Sequence, residues 1–226
     1  SIFMKLYLIK FITIYALLFF NTSLASDFEV NYNVSTSGIK IGEFNWFLNL
    51  NENNYTTKIN LKNSGLFSAL YKFKGGYTSV GIIEDQMFKS KKYKQNWQTK
   101  KQVKIVEMSF DDSVNKLSQT PKEKELSRID LDKLFEYFDP ITSFLNILNG
   151  FDNVKTIDGR RIYIMKKNTL LGDNKITIEI RDYKNIWADH NRNDLKKIEF
   201  FINKNIFLPE KINIYFKERI FKLQKI

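Results

Sequence analysis

The sequence predicts a mainly β chain: a strongly curved antiparallel sheet or open β-barrel of about ten strands, wrapped over one principal α-helix. Three observations carry this. Apolar residues alternate with polar ones through most of residues 28–110 and again through 154–216, the period of half-buried strands. Turn signals recur about every 8 to 12 residues between those runs. A single segment, residues 139–150, breaks the alternation with a helical stripe.

The elements follow in order. Phe28, Val30, Tyr32 and Val34 form the first alternating run, and residues 35–38 (S-T-S-G) turn the chain. The next run opens on Ile39 and Ile41 and continues through Phe44, Trp46, Leu48 and Leu50, so its parity flips beside Gly42-Glu43. A flip at a glycine predicts a β-bulge. After a hairpin loop at 51–54, Tyr55, Thr57, Ile59 and Leu61 return the strand. Residues 64–70 (S-G-L-F-S-A-L) suit a short helical turn capped by Ser64. Tyr71, Phe73, Gly75, Tyr77 and Ser79 resume period two, and Gly75-Gly76 inside that strand predicts a bulge or close backbone approach. Runs around 93–97 and 103–110 follow, and residues 111–128, polar with Pro121, read as a surface loop or mobile hairpin.

The helix has a complete punctuation. Asp139 stands at the N-cap and Pro140 at the first helical position. Ile141, Phe144, Leu145 and Leu148 make the apolar stripe, and Asn149-Gly150 stops it. Beyond it, Asp158-Gly159 marks a hairpin, and strands follow at Ile176–Ile180, Ile198–Ile202 and Ile212–Phe216.

The amino-terminal segment predicts an address. Met4-Lys5 is a short basic start, residues 11–20 (F-I-T-I-Y-A-L-L-F-F) are an apolar run, and Ser23-Leu24-Ala25 has the small-x-small form of a signal-peptidase site. Residues 1–25 are therefore expected to be a cleaved signal peptide with its start at Met4, and residues 26–226 a single exported, periplasmic domain. The apolar run is shorter than the roughly 20 residues of a membrane span. The chain has no cysteine, which removes disulfides, thiol catalysis, thiolate metal sites and a lipidated cysteine anchor from consideration. Its formal charge is +11. Lys, Asn and Ile are frequent, a bias that A/T-rich codons produce by themselves, so basicity alone names no anionic partner.

Several motifs occur together: G-I-K-I-G-E-F-N-W at 38–46, S-G-L-F-S-A-L-Y-K-F-K-G at 64–75, D-P-I-T-S-F-L at 139–145, I-D-G-R-R-I-Y at 157–163 and F-L-P-E-K-I at 207–212. In that order they resemble the exported bacterial family called domain of unknown function 3108, across nearly all of residues 28–216. The family has no established activity. At the level of fold, the resemblance extends to periplasmic lipoprotein carriers, whose unclosed barrel covers a helix and shelters acyl chains. No motif here matches a lipoprotein handover.

No catalytic constellation emerges. His190 is the single histidine, in a polar turn-like setting, and no G-x-S-x-G elbow is present. Asp189 and Asp194 flank it without a calcium-loop pattern. The acid pairs Glu84-Asp85, Asp111-Asp112 and Asp130/Asp132 fit turns and caps better than a glycosidase cleft. No metal or cofactor is expected. The aromatic load, 20 Phe, 11 Tyr and 3 Trp, either fills the barrel or lines a cavity in it. The expected apolar cleft comprises Phe44, Trp46, Tyr71, Phe73, Tyr77, Phe144 and Leu148. Lys91, Lys92 and Lys94, in a lysine-rich stretch interleaved with Tyr93 and Trp97, and the pair Arg160-Arg161, are the candidates for an anionic headgroup. The competing reading makes those lysines a solvated sheet edge. The expected function is non-enzymatic binding of a hydrophobic or amphipathic envelope molecule, a lipid or acyl chain. Peripheral membrane contact is possible on this reading, and nucleic acid is not an expected partner. The alternative is an envelope or outer-membrane assembly scaffold without a ligand.

Overall fold

A computed structural model describes residues 26–64, 73–169, 174–188, 193–203 and 206–226. The predicted signal segment, the helical turn after Ser64, Tyr71, Asp189 and His190 lie outside the described residues. Thirteen strands make one sheet. They are β1 (Ser26–Thr36), β2 (Ile39–Asn51), β3 (Asn54–Asn63), β4 (Phe73–Glu84), β5 (Met87–Thr99), β6 (Val103–Phe110), β7 (Val114–Thr120), β8 (Asn153–Ile157), β9 (Arg161–Thr169), β10 (Lys175–Asn185), β11 (Leu195–Asn203), β12 (Ile206–Phe216) and β13 (Arg219–Lys225). A 3-10 turn (Leu131–Lys133) and helix α1 (Pro140–Leu148) connect β7 to β8. No described helix is long and apolar enough to cross a membrane.

The spatial order is β7-β6-β5-β4-β3-β2-β1-β13-β12-β11-β10-β9-β8. Every pairing is antiparallel, including β1 with β13 in mid-sheet, from Tyr32 opposite Lys225 to Thr36 opposite Phe221. The free edges are thus β7 and β8, which are consecutive in sequence. Side chains rather than a strand ladder bring these edges together. Gln119 Nε2 donates to the Gly159 carbonyl at 2.8 Å, and Arg160 Nη1 lies 3.0 Å from Glu123 Oε2. A Cβ on Gly159 would sit 2.5 Å from Val106 Cγ1, so the β8–β9 turn presses on β6. The result is the open barrel that the alternation predicts.

Two strands exceed that prediction. Residues 114–120, read from sequence as part of a surface loop or mobile hairpin, are β7, paired with β6 from Ile105–Thr120 to Phe110–Val114. Val114 is its one fully buried side chain, so an edge strand of this kind carries almost no apolar period. Residues 219–225 form β13, which pairs β12 and β1 while burying only Leu223. The bulge expected at Gly42-Glu43 lies one residue earlier: Val34 faces Gly42 and Ser35 faces Lys40, leaving Ile41 as the extra residue. A second bulge leaves Lys91 unopposed, between Gly81–Ser90 and Val80–Lys92. It shifts the inward set of β5 from Phe88 and Ser90 to Tyr93, Gln95 and Trp97.

α1 lies inside the curl. The Phe144 ring meets Trp46 of β2 at 5.6 Å and Phe200 of β11 at 5.0 Å, on opposite walls. Leu145 and Ile147 are wholly buried. The helix ends in a Schellman motif, with Gly150 N–H on the Ile147 carbonyl (3.2 Å) and Phe151 N–H on Asn146 (3.0 Å), which places Gly150 at φ +107°.

The N-terminus of α1 is fixed by more than a cap. Asp139 is 0% exposed. Its Oδ1 accepts from Ile141 N–H (3.0 Å) and Thr142 N–H (3.1 Å). Its Oδ2 accepts from the hydroxyls of Ser79 (2.7 Å), Ser90 (2.6 Å) and Thr142 (2.6 Å). Tyr55 OH joins through Thr142 Oγ1 at 2.6 Å. A buried carboxylate survives only when its oxygens are saturated in this way. Further along, the Asn146 amide pairs with both backbone groups of Phe88, at 2.8 Å each. The helix is therefore bolted to β4 and β5, and the remaining half of the barrel is left to other side chains.

Candidate functional site

That remaining half holds a cavity of about 750 Å³. Its walls come from one end of the sheet only: the ends of β1, β3, β5 and β12 and the beginnings of β2, β4, β9, β11 and β13. Its floor is the first turn of α1, through Pro140, Ile141 and Phe144. The cavity exists because α1 spans nine residues, about 14 Å at 1.5 Å per residue, whereas strands of up to thirteen residues reach roughly 43 Å at 3.3 Å per residue.

The structure brings Phe44, Trp46, Phe73, Tyr77 and Phe144 of the predicted cleft onto this cavity. Tyr71 is outside the described residues. Leu148 does not line it: the residue sits on the last turn of α1, half-buried against the core, away from the cavity floor. The aromatic residues form a continuous row, with Tyr32 to Phe44 at 5.7 Å, Phe44 to Trp46 at 6.3 Å and Trp46 to Phe144 beyond. Nearer the rim, Phe73 and Trp97 stack at 5.4 Å with an interplanar angle of 9°. Gly75 makes room for this, since a Cβ there would lie 2.9 Å from the Trp97 ring. The close approach predicted at Gly75-Gly76 is this contact.

A few polar groups interrupt the apolar wall. Tyr93 OH donates to Gln95 Oε1 at 3.3 Å. Burial holds the phenols of Tyr93 and Tyr163 well above their ordinary range and pushes Tyr77 up to about 12. Asp158 also borders the cavity. Its Oδ1 accepts from the backbone N–H groups of Arg160 (2.8 Å) and Arg161 (2.7 Å), and Arg161 Nη1 lies 3.9 Å from Oδ2. Burial nevertheless wins, and the carboxyl is raised above its ordinary value despite those donors. Its side chain remains 26% exposed because it faces the cavity rather than packed side chains. Tyr93 and Asp158 are held by the scaffold, and neither is paired as a nucleophile with a base. No cluster of three or more His, Asp or Glu side chains fit to hold a metal occurs among the described residues.

The lysine candidates are placed elsewhere, while Arg161 lies beside Asp158 at the cavity border. Lys91 is the bulge residue, 3.8 Å from Asp111. Lys92 and Lys94 take the outward parity of β5, and Lys94 pairs with Glu107 at 2.7 Å on the convex face. The bulge does this: it commits Tyr93, Gln95 and Trp97 to the interior and the lysines between them to solvent. Arg160 meets Glu123, and Arg161 packs 5.8 Å from the Tyr183 ring centroid. Tyr93, Gln95, Trp97, Asp158 and Tyr163 line the cavity without having been selected from sequence as its residues. Alternation around Trp97 carried the signal for the first three. For Tyr163 no signal existed, since β9 buries consecutive residues Ile162 and Tyr163.

Fold and site together define an open antiparallel β-barrel with a helix in one half and an apolar cavity in the other. The chain belongs to the family described as protein of unknown function (DUF3108), whose model matches residues 27–188. The match ends before β11–β13. No curated protein matches the chain. Among solved structures, the chain is similar to a β-barrel-like protein of another domain of unknown function, DUF1849, from Brucella abortus. Identity is 11%, the TM-score is 0.52, and the match covers 90% of this chain and 96% of that one. This likeness is one of fold.

Proposed function

We propose that this protein is a non-enzymatic binding protein of the bacterial cell envelope, and that its ligand is a hydrophobic or amphipathic molecule such as a lipid or acyl chain. One observation carries the reading: the cavity of about 750 Å³, walled by aliphatic and aromatic side chains with few polar interruptions. Its size falls in the range of small-molecule sites, about 300–1,000 Å³. Each CH₂ moved from water into such a wall contributes about 0.8 kcal/mol, so one acyl chain supplies enough free energy for binding without strong polar contacts. The periplasmic address rests on the basic, apolar and small-residue pattern of residues 4–25.

The assembly-scaffold alternative draws on Leu126, 82% exposed, and Phe135, 56% exposed, both on the β7–α1 connection, where a protein partner would cover them. The two readings separate in one experiment. Native mass spectrometry of the protein from its own cells, followed by lipid extraction and titration with a fluorescent fatty acid, is expected to show a co-purifying amphiphile and saturable binding. Leu61→Trp, which fills the cavity from β3, is expected to weaken that binding at least tenfold while the far-ultraviolet spectrum stays unchanged. Absence of both bound lipid and fatty-acid binding would remove the carrier reading.

A further inference from the structure

The end of the barrel that contains the cavity is also its basic end. The β5–β6 turn there carries Lys100 and Lys101, and Lys74 begins β4 beside it; all three are exposed. The opposite end turns on acids: Glu52 between β2 and β3, Asp85 between β4 and β5, and Asp111 and Asp112 between β6 and β7. Codon bias raises the lysine count everywhere and cannot segregate charge by barrel end.

Register singles out two of the rim cations. In an antiparallel pair, residues directly opposite share a face of the sheet. Lys104 is opposite Trp97, whose ring lines the cavity. Arg219 is opposite Phe216, another lining residue, itself 39% exposed at the rim. Lys104 and Arg219 therefore take the cavity-facing parity, unlike Lys92 and Lys94. They stand on β6 and β13, with β1 to β5 between them, so they bracket the entrance. Both are exposed, and neither has an acid partner among the described residues.

We infer that the cavity takes an anionic amphiphile, its chain against Trp46 and Phe144 and its carboxylate or phosphate at the rim between Lys104 and Arg219. This rests on the binding reading above and names the ligand's charge. The charge distribution is what selects an anion over a neutral or cationic headgroup: an apolar cavity whose rim carries two unpaired cations attracts the anionic end to the rim and leaves the tail to enter. Attraction at an exposed rim is screened by salt over about 8 Å at physiological ionic strength, so the preference belongs to low and moderate salt.

The test is competitive binding of laurate and dodecanol, which have the same number of carbons and differ in head charge, at a pH well above the carboxyl range. An exposed ion pair changes an equilibrium by roughly 1.4- to 5-fold. Two such cations predict that laurate binds the full chain about tenfold more tightly than dodecanol, and that the gap narrows in high salt. The double variant Lys104→Gln/Arg219→Gln is expected to bring laurate binding down to that of dodecanol. Lys92→Gln/Lys94→Gln, on the convex face, is expected to keep the tenfold gap. Dodecyl phosphate alongside laurate tells a phosphate preference from a carboxylate one. Equal affinity of the unaltered protein for laurate and dodecanol overturns the inference while leaving the cavity reading standing. Survival of the gap in the Lys104/Arg219 variant overturns the site. Binding of neither ligand ends both.

Discussion

Replacing Asp139 by Ala tests how the helix is held. From sequence, Asp139 is an N-cap, and losing a cap costs about 1 kcal/mol. The structure makes the cost larger. Two backbone N–H groups and three hydroxyls converge on one carboxylate that water does not reach. Hydrogen bonds to a charged group contribute about 1.5–3 kcal/mol each, and buried donors left unpaired cost about 1–3 kcal/mol. Part of this is recovered, because Thr142 Oγ1 already lies 2.6 Å from Tyr55 OH and 2.9 Å from Ser79 Oγ and the hydroxyls can pair among themselves. A net loss of about 3–5 kcal/mol remains, matching the roughly 2–5 kcal/mol expected for Leu145→Ala in the core. A cap alone would leave Asp139→Ala far milder than Leu145→Ala; the buried network brings the two close together. Urea denaturation followed by tryptophan fluorescence measures both variants. A loss near 1 kcal/mol for Asp139→Ala, with Leu145→Ala several times worse, would refute the buried network as the anchor of α1.

Three further outcomes are expected. Gly81→Ala puts a Cβ 2.0 Å from the Lys89 carbonyl oxygen and 2.6 Å from the Tyr55 ring, which should cost about 1–3 kcal/mol, whereas Gly76→Ala meets open space; equal thermal midpoints would contradict this packing. Burial disfavours ionised Glu199, but hydrogen bonds from Lys197, Tyr215, Asn213 and Lys175 outweigh it and hold its carboxyl at about 2. A depressed carboxyl stabilises above its unfolded pKa and loses that contribution as pH falls, here between about 4.5 and 2, so the roughly 2–3 kcal/mol advantage over Glu199→Gln at neutral pH should vanish at the acid end of acid-urea titrations. Intact-mass measurement of the protein recovered from a periplasmic extract should show Ser26 as its first residue, and a solely cytoplasmic pool would contradict export.

Local chemistry made much of this fold legible. Period-two alternation in Phe28–Val34 and Tyr55–Leu61, the glycine-marked parity flip before Phe44 and the Asp139-Pro140 … Gly150 punctuation of α1 are consequences of backbone geometry, and each residue's neighbours in sequence suffice to reveal them. The cleft residues Phe44, Trp46, Phe73 and Tyr77 followed from the same parity. β7 and β13 were illegible because an edge strand and a mostly exposed central one bury too little to imprint a pattern. The headgroup candidates Lys92 and Lys94 lie away from the cavity for a related reason. Lys92, Lys94 and Lys104 are chemically equivalent in the sequence, and only the Lys91 bulge and the β5–β6 register put the first two on the convex parity and Lys104 on the parity of Trp97. Asp139 reads as an ordinary cap until Ser79 and Ser90 arrive from distant strands. Strand periodicity, helix limits and the set of apolar residues depend on near neighbours along the chain and are legible there. The cavity, its basic rim and the buried carboxylate exist only where strands far apart in sequence meet, and long-range register alone decides that.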